Sequence, residues 1–246
     1  MHKSTLLRME WFVHNFLAER QGPMKVLDVG SYDVNGSYKH LFNGQQYQYT
    51  GLDMVAGQNV DIVPQCPYIW EEIEKESFDV VISGQVFEHV EFPWITISEI
   101  ARVLKNNGLL CIIVPRLQGR HRYPVDTYRY DVDGVIALAR YAGLKPLHAS
   151  MNQGPKGCPP EWYSESGDTM LIACKPSTWI GCMDIESVKS YICFPSDLDE
   201  LSIGFFDYKS SFPAYVEKRI IIFARSIRRR LEYFSKLGAA KGLPLW

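Results

Sequence analysis

The chain has 246 residues, 46% of them hydrophobic and 22% charged, enough for one α/β domain with a large core plus some appended structure. A formal net charge of −2 and an isoelectric point near 6.3 exclude a surface that coats nucleic acid over the whole molecule, and no run approaches the ~18 apolar residues of a membrane span. The charge is uneven: between residues 214 and 241 Lys and Arg outnumber Glu to give about +6, leaving about −8 for the rest.

The opening segment "MHKSTLLRMEWFVHNFLAERQG" is interrupted by Arg8, Glu10 and His14, so it lacks a signal peptide's apolar stretch and predicts a cytosolic chain. It reads instead as a helix capped by Ser4 and running to about Arg20, with Leu6, Met9, Val13, Phe16 and Leu17 on one face and Gly22-Pro23 as its stop. Strands are expected at 25–29, 47–54, 78–83, 109–114, 144–151 and 169–175, with a weaker one at 60–63. Helices fall between them. The clearest spans 93–105, where Ile97, Ile100, Ala101 and Leu104 keep helical spacing until Asn107-Gly108; another, capped by Asp131 or Asp133, runs to Tyr141. This alternation predicts a mostly parallel sheet covered on both faces. Beyond Pro176 the composition turns irregular and aromatic, and from Pro213 a long helical pattern begins, so a boundary is expected near 177, dividing 1–177 from a C-terminal extension at 178–246. The six cysteines (Cys66, Cys111, Cys158, Cys174, Cys182, Cys193) have no CxxC spacing and read as reduced packing residues.

The first strand ends in "VLDVGSYDVNGSY", residues 26–38. A strand, a glycine turn and a helix would aim backbone N–H groups at a nucleotide-like ligand. In open α/β sheets ligands collect beyond the carboxyl ends of the strands, which groups Asp28 to Gly36, Asp53, Ser83 to His89 and Pro115 onward around one crevice. Asp53 lies 23 residues after Gly30, where a carboxylate can accept both hydroxyls of a ribose. A pyrophosphate tolerates no nearby anions, yet this loop has Tyr32 in place of a glycine and carries Asp28 and Asp33. S-adenosylmethionine, with a sulfonium where a dinucleotide has phosphates, fits such a loop better.

The segments "KVLDVGSYDVNGSY", "YTGLDM", "FDVVISGQVFEHVEFPWITISEIARVLKNNGLLCIIVP" and "HRYPVDTYRYDVDGVIALARYAGL" together resemble a class I S-adenosylmethionine-dependent methyltransferase, of the group that modifies small molecules, lipids, quinones and glycans. The resemblance covers roughly residues 26–175, and its most specific part is Glu88-His89-Val90 with the helix that follows. It implies a Rossmann-like, seven-stranded, mostly parallel sheet with helices on both faces and a last antiparallel strand at 169–175, to which the pattern from Pro213 adds a C-terminal helical extension. It further implies that Asp28, Gly30, Ser31, Tyr32 and Gly36 surround the methionine end, that Asp53 holds the ribose, that Met54 packs on adenine, and that Ser83 and Gln85 lie beneath the methionyl chain. Gln65 or Cys66 would meet the adenine edge. The loop departs from the group's glycine pattern at Tyr32 and Val34.

Methyl transfer needs alignment and, for a hydroxyl acceptor, a base. His89 is the first candidate base; the alternative is that Glu88-His89 only organises its loop. The second cluster is "GRHRYPVDTYRY", residues 119–130, after the fourth long strand, where an acceptor would sit. Here His121 and Asp126 are a possible base and orienter, and Arg116, Tyr123, Tyr128 and Arg129 are candidate acceptor contacts. The alternative is a surface loop in which Asp126 and Arg129 pair locally. No metal is implied, because His121 and Asp126 are the only typical ligands that cluster in sequence.

The leading expectation is therefore a methyltransferase acting on the oxygen of a small-molecule, glycan or lipid-linked acceptor. A non-catalytic binding or assembly module of the same fold and a nicotinamide-dependent oxidoreductase are the alternatives, and a nucleic-acid substrate is not expected. In the tail, Val216, Ile220, Phe223, Ile227, Leu231 and Phe234 draw an apolar stripe with basic residues largely off it. Such a stripe either docks on the protein's own core or a second subunit, or lies on the anionic inner face of a membrane.

Overall fold

The computed structural model describes residues 3–151 and 167–184 together with the backbone of 202–204. The chain opens with helix α1 (Lys3–Phe12), continued by a wider π turn at Val13–Leu17. Six strands follow: β1 (Met24–Val29), β2 (Tyr47–Leu52), β3 (Phe78–Gly84), β4 (Leu104–Pro115), β5 (Lys145–Met151) and β6 (Asp168–Cys174). Helix α2 (Pro93–Val103) precedes β4, and α3 (Val132–Tyr141) precedes β5. The spatial order is β2-β1-β3-β4-β6-β5. β2, β1, β3 and β4 run parallel, and β6 is antiparallel to both its neighbours, as expected for 169–175. A three-residue strand, Ser202–Gly204, runs parallel beside β5 at the far edge.

Alternation along the strands sends residues to two separate cores. Leu27, Val29, Val81, Leu110, Ile112, Val114 and Leu171 meet α2 and α3 through Ile97, Ile100, Val135 and Ile136. Val26, Val80, Ile82, Cys111, Ile113 and Ile172 meet α1 through Met9 and Phe12. Each such side chain, fully buried, contributes about 1.5–3 kcal/mol. Both faces of the sheet are thus covered by helices. The chain beyond 177 continues on this core: Trp179 donates to the Ala142 carbonyl (2.8 Å) and Met183 N–H to that of Tyr141 (2.7 Å).

Several local expectations are corrected. Ser4 does not cap α1; it lies within it and donates to the buried Asp168 carboxylate at 2.6 Å. The expected apolar stripe does face the core, with Met9 and Leu17 buried and Leu6, Val13 and Phe16 packed against it, but Ser4, Thr5, Arg8 and Phe12 are buried beside it, and the π turn shifts the register so that Leu17, five residues after Phe12, returns to the core. No helix follows the β1 loop beyond a single 3₁₀ turn at Lys39–Phe42. The strand expected at 60–63 is reduced to one bridge between Leu52 and Ile62, because Asp61 and Ile62 both donate to the Gly51 carbonyl while the Asp61 carboxylate takes the Gly51 N–H (2.7 Å). Asn107-Gly108 is not a loop but a bulge within β4: Leu104 pairs with Phe78 and Leu109 with Val80, with Asn107 at φ 61°. Of the two candidate caps for α3, Asp131 is the one used, accepting from Val132 N–H at 2.8 Å. Cys111 is buried, and burial pushes its thiol up, as its packing role requires. Cys158, Cys193 and the helical pattern after Pro213 lie outside the described residues.

Candidate active site

Because β2, β1, β3 and β4 are parallel neighbours, their carboxyl ends share one rim, and the loops after them supply the site. Gly30 ends β1 at φ 82°, and a Cβ there would lie 2.2 Å from a Val86 methyl, so only glycine lets the β1 and β3 loops meet. Gly30 and Ser31 N–H groups donate to the Leu52 carbonyl (2.8 and 3.1 Å), tying this loop to the end of β2. There Asp53 accepts from Tyr32 N–H and Val55 N–H, each at 3.2 Å. The Tyr32 ring lies over Gly57, and Asp33 accepts from Gly36 N–H at 2.7 Å. Met54 is 50% exposed beside Asp53, an uncovered apolar surface next to a carboxylate. Gln65 is exposed, and Cys66 sits in a bridge with Ile69.

Asp28 is buried and accepts from the Tyr49 hydroxyl at 2.7 Å. Burial, assisted by the nearby Asp53 charge, pushes its carboxyl up to about 7. This charge set suits a nucleoside carrying a cationic centre: the Asp28 and Asp53 carboxylates close enough to act on one another, an apolar shelf at Met54, and no long helix behind the loop to hold phosphate. Ser83 and Gln85 are turned to other uses. The Ser83 hydroxyl is buried and donates to the Val29 carbonyl (3.0 Å), and the Gln85 amide donates to Asp168 (3.2 Å), which Ser4 also reaches.

On the acceptor side, the β4 loop folds onto the 3₁₀ turn Phe87–His89. Thr127 donates its N–H and its hydroxyl to the Glu88 carbonyl (2.7 and 2.8 Å), and the Tyr128 and Tyr130 hydroxyls donate to Glu91 and Phe87 carbonyls. Arg129 is the staple of this loop: its five N–H donors go to both Asp126 oxygens and to the carbonyls of Gln118, Gly119 and Tyr128. None is left for an acceptor, which corrects the expected contact role of Arg129. Its guanidinium holds the Asp126 carboxyl well below the usual range. Asp126 does not orient the His121 ring either; it accepts from His121 backbone N–H at 2.6 Å. Arg116 pairs with Asp131 at 3.0 Å, and Tyr123 is left 56% exposed at the rim. Tyr128 also lines an apolar groove of about 460 Å³ between α2 and α3, with Pro93, Trp94, Tyr130 and Tyr141.

The fold brings together what sequence spacing kept apart. His89 and His121 meet edge to face, ring centroids 4.8 Å apart, with Tyr123 next to His89. His89 Nδ1 lies 2.6 Å from the Val125 carbonyl and His121 Nδ1 3.1 Å from that of Gly119; a carbonyl only accepts, so each Nδ1 carries a hydrogen. Burial holds His89 below the usual histidine range, which favours its neutral form. Glu88 Oε1 stands 3.7 Å from His89 Nε2 in a side chain with no exposure, and burial pushes this carboxyl up to about 8.

Residues 4–145, more than half of the chain, match the sequence family described as a methyltransferase domain. The chain belongs to that family. Comparison of this methyltransferase with curated proteins finds no match. Among solved structures it is similar to the 1,6-didemethyltoxoflavin-N1-methyltransferase of Burkholderia thailandensis, solved with its substrate and S-adenosylhomocysteine (18% identity, 71% of this chain and 80% of that one, TM-score 0.53). It is also similar to the CurJ carbon methyltransferase (13% identity, 70% and 54%, TM-score 0.56) and to the [4+2]-cyclase SpnF (18%, 69% and 80%, TM-score 0.53). At these identities the likeness is one of fold, and the three names are those of an N1-methyltransferase, a carbon methyltransferase and a [4+2]-cyclase. The fold therefore leaves the acceptor to the residues of this methyltransferase's own rim.

Proposed function

We propose that the protein methylates a hydroxyl oxygen of a small-molecule, glycan or lipid-linked acceptor that binds over His89, His121 and Tyr123. S-adenosylmethionine is the methyl donor and supplies, when bound, a methyl carbon made electrophilic by the adjoining sulfonium. Asp53 would accept the ribose hydroxyls, Met54 would cover the adenine, and Asp28 with the bare Gly30 would face the cationic end. The observation that carries the oxygen assignment is the pair of imidazoles, each anchored through Nδ1 to a backbone carbonyl, that meet edge to face where the β3 and β4 loops fold together. An acceptor hydroxyl placed there can lose its proton as it attacks. The basic amphipathic pattern after Pro213 supports an acceptor held at an anionic lipid surface.

The test is incubation of the full chain with methyl-labelled S-adenosylmethionine and cell extract, followed by mass spectrometry. Label on oxygen is expected, and in at least one of His89→Ala and His121→Ala turnover should fall roughly 10²-fold while S-adenosylhomocysteine affinity stays within a few-fold. Label on nitrogen or carbon would overturn the hydroxyl assignment. The likeness to a cyclase favours a second reading, a methyltransferase fold that binds cofactor without transferring its methyl; cofactor binding with no labelled product would select it.

A further inference from the structure

We propose that Glu88, His89 and His121 form a binding site for one divalent cation of the zinc or iron(II) type at the acceptor end of the rim. One ligand atom from each of the three residues falls within a 4.8 Å span, although His121 follows Glu88 by more than thirty residues. Oxygens and nitrogens bound to such a cation stand about 3.3 Å apart at the usual bond lengths, and Glu88 Oε1 and His89 Nε2 are already at 3.7 Å.

Two further observations point to a cation and not to chance crowding. The first is the hydrogen bonding of the rings. Both Nδ1 atoms are held by backbone carbonyls, the arrangement that fixes a ligating imidazole's tautomer and aims its Nε2 lone pair at a metal. The second is Glu88. Its side chain is wholly buried, and neither carboxyl oxygen has a hydrogen-bond partner. A buried carboxyl left in that condition needs an explanation, and a cation beside it would supply both missing contacts. Arg129, the nearest basic group on that loop, cannot serve, because its donors are all engaged elsewhere.

Two imidazoles and a carboxylate leave coordination positions open. That an acceptor oxygen fills one of them rests on the hydroxyl reading above; binding of the cation does not. With a cation in place both Nε2 lone pairs are engaged, so the histidines would promote ionisation of the acceptor as ligands and not as bases.

The test titrates the metal-stripped full chain with Co(II), read by its visible absorption, and with Zn(II) in competition. One Co(II) per chain is expected, displaced by Zn(II). His121→Ala, a change on a half-exposed loop residue, and Glu88→Gln should each weaken binding at least tenfold, as loss of a ligand requires, while S-adenosylhomocysteine affinity stays within a few-fold. No Co(II) uptake at about 100 μM, or uptake that both variants leave unchanged, would overturn the site. S-adenosylhomocysteine titrated into the same samples reads the cofactor assignment separately: its binding without Co(II) uptake removes the metal site and leaves the methyltransferase reading intact.

Discussion

Asp28 illustrates how a carboxylate can be readable in sequence as part of a pocket and yet not as a titrating group. Its position at the carboxyl end of the first strand marked it as a rim residue, but its burial and its bond from Tyr49 on the neighbouring strand are announced by no local pattern. Folding raises this carboxyl from 3.8 to about 7, so the folded state holds the proton more tightly than the unfolded one. The stability this confers is complete below about 3.8 and is lost as pH rises through about 7, a fall of roughly 2–4 kcal/mol at most. Urea unfolding of the ligand-free protein at pH 5 and pH 8 should show that loss, and Asp28→Asn should flatten it; an equal loss in the variant would show that Asp28 is not its source. Gly30 shows a different shortfall. The sequence marked it as a glycine that a ligand approaches, whereas its side-chain space is taken by Val86, so the requirement for glycine is first one of loop against loop.

Among the elements, α1 keeps its apolar stripe against the core but buries more than that stripe. Its apolar periodicity was visible, whereas the burial of Ser4 beside it is tied to Asp168, more than 160 residues away, to which Ser4 donates. Ser4→Ala should leave that buried carboxylate with one side-chain donor fewer and lower stability by about 1–3 kcal/mol in denaturant unfolding, with the slope unchanged. A variant as stable as the parent would show that Gln85 and the surrounding backbone suffice. β1 and β3, by contrast, were readable to within a residue, because a strand buried on both faces needs a nearly continuous apolar run. The β4 bulge was not: Asn107-Gly108 carries the signature of a turn, and only pairing with β3 on one side and Lys175 on the other decides that the strand continues through it. The Arg129 loop fell between two readings for a similar reason, since a cluster of Arg, Asp and Tyr looks alike whether it faces a ligand or itself.

For the molecule as a whole, the family and the two-faced α/β sheet were recoverable from strand order and the Glu88-His89 segment, while the Glu88, His89 and His121 cluster required the β3 and β4 loops to be folded together. Among the described residues no helix is long and apolar enough to cross a membrane. The amphipathic pattern after Pro213 lies outside those residues, and its contact with a lipid surface is tested directly. Each basic residue near anionic headgroups adds about 1 kcal/mol, so the full chain should float with anionic vesicles at low salt and leave them at high salt. A chain ending near Phe212 should not float. If neither floats and the shortened chain changes oligomeric state, the stripe is a packing surface and the membrane reading fails.

The turn of chain that wraps Gly51 has a consequence apart from ligand binding. β2 stands at the margin of the sheet, and a bare margin strand offers its unpaired N–H and C=O groups to any other chain as a template for aggregation. Here Asp61 takes the Gly51 N–H, and two backbone donors take the Gly51 carbonyl, so the end of that margin nearest the cofactor loop is already closed. The segment that brings Asp53 and Met54 to the rim thus also keeps copies of this protein from joining sheet to sheet at that end.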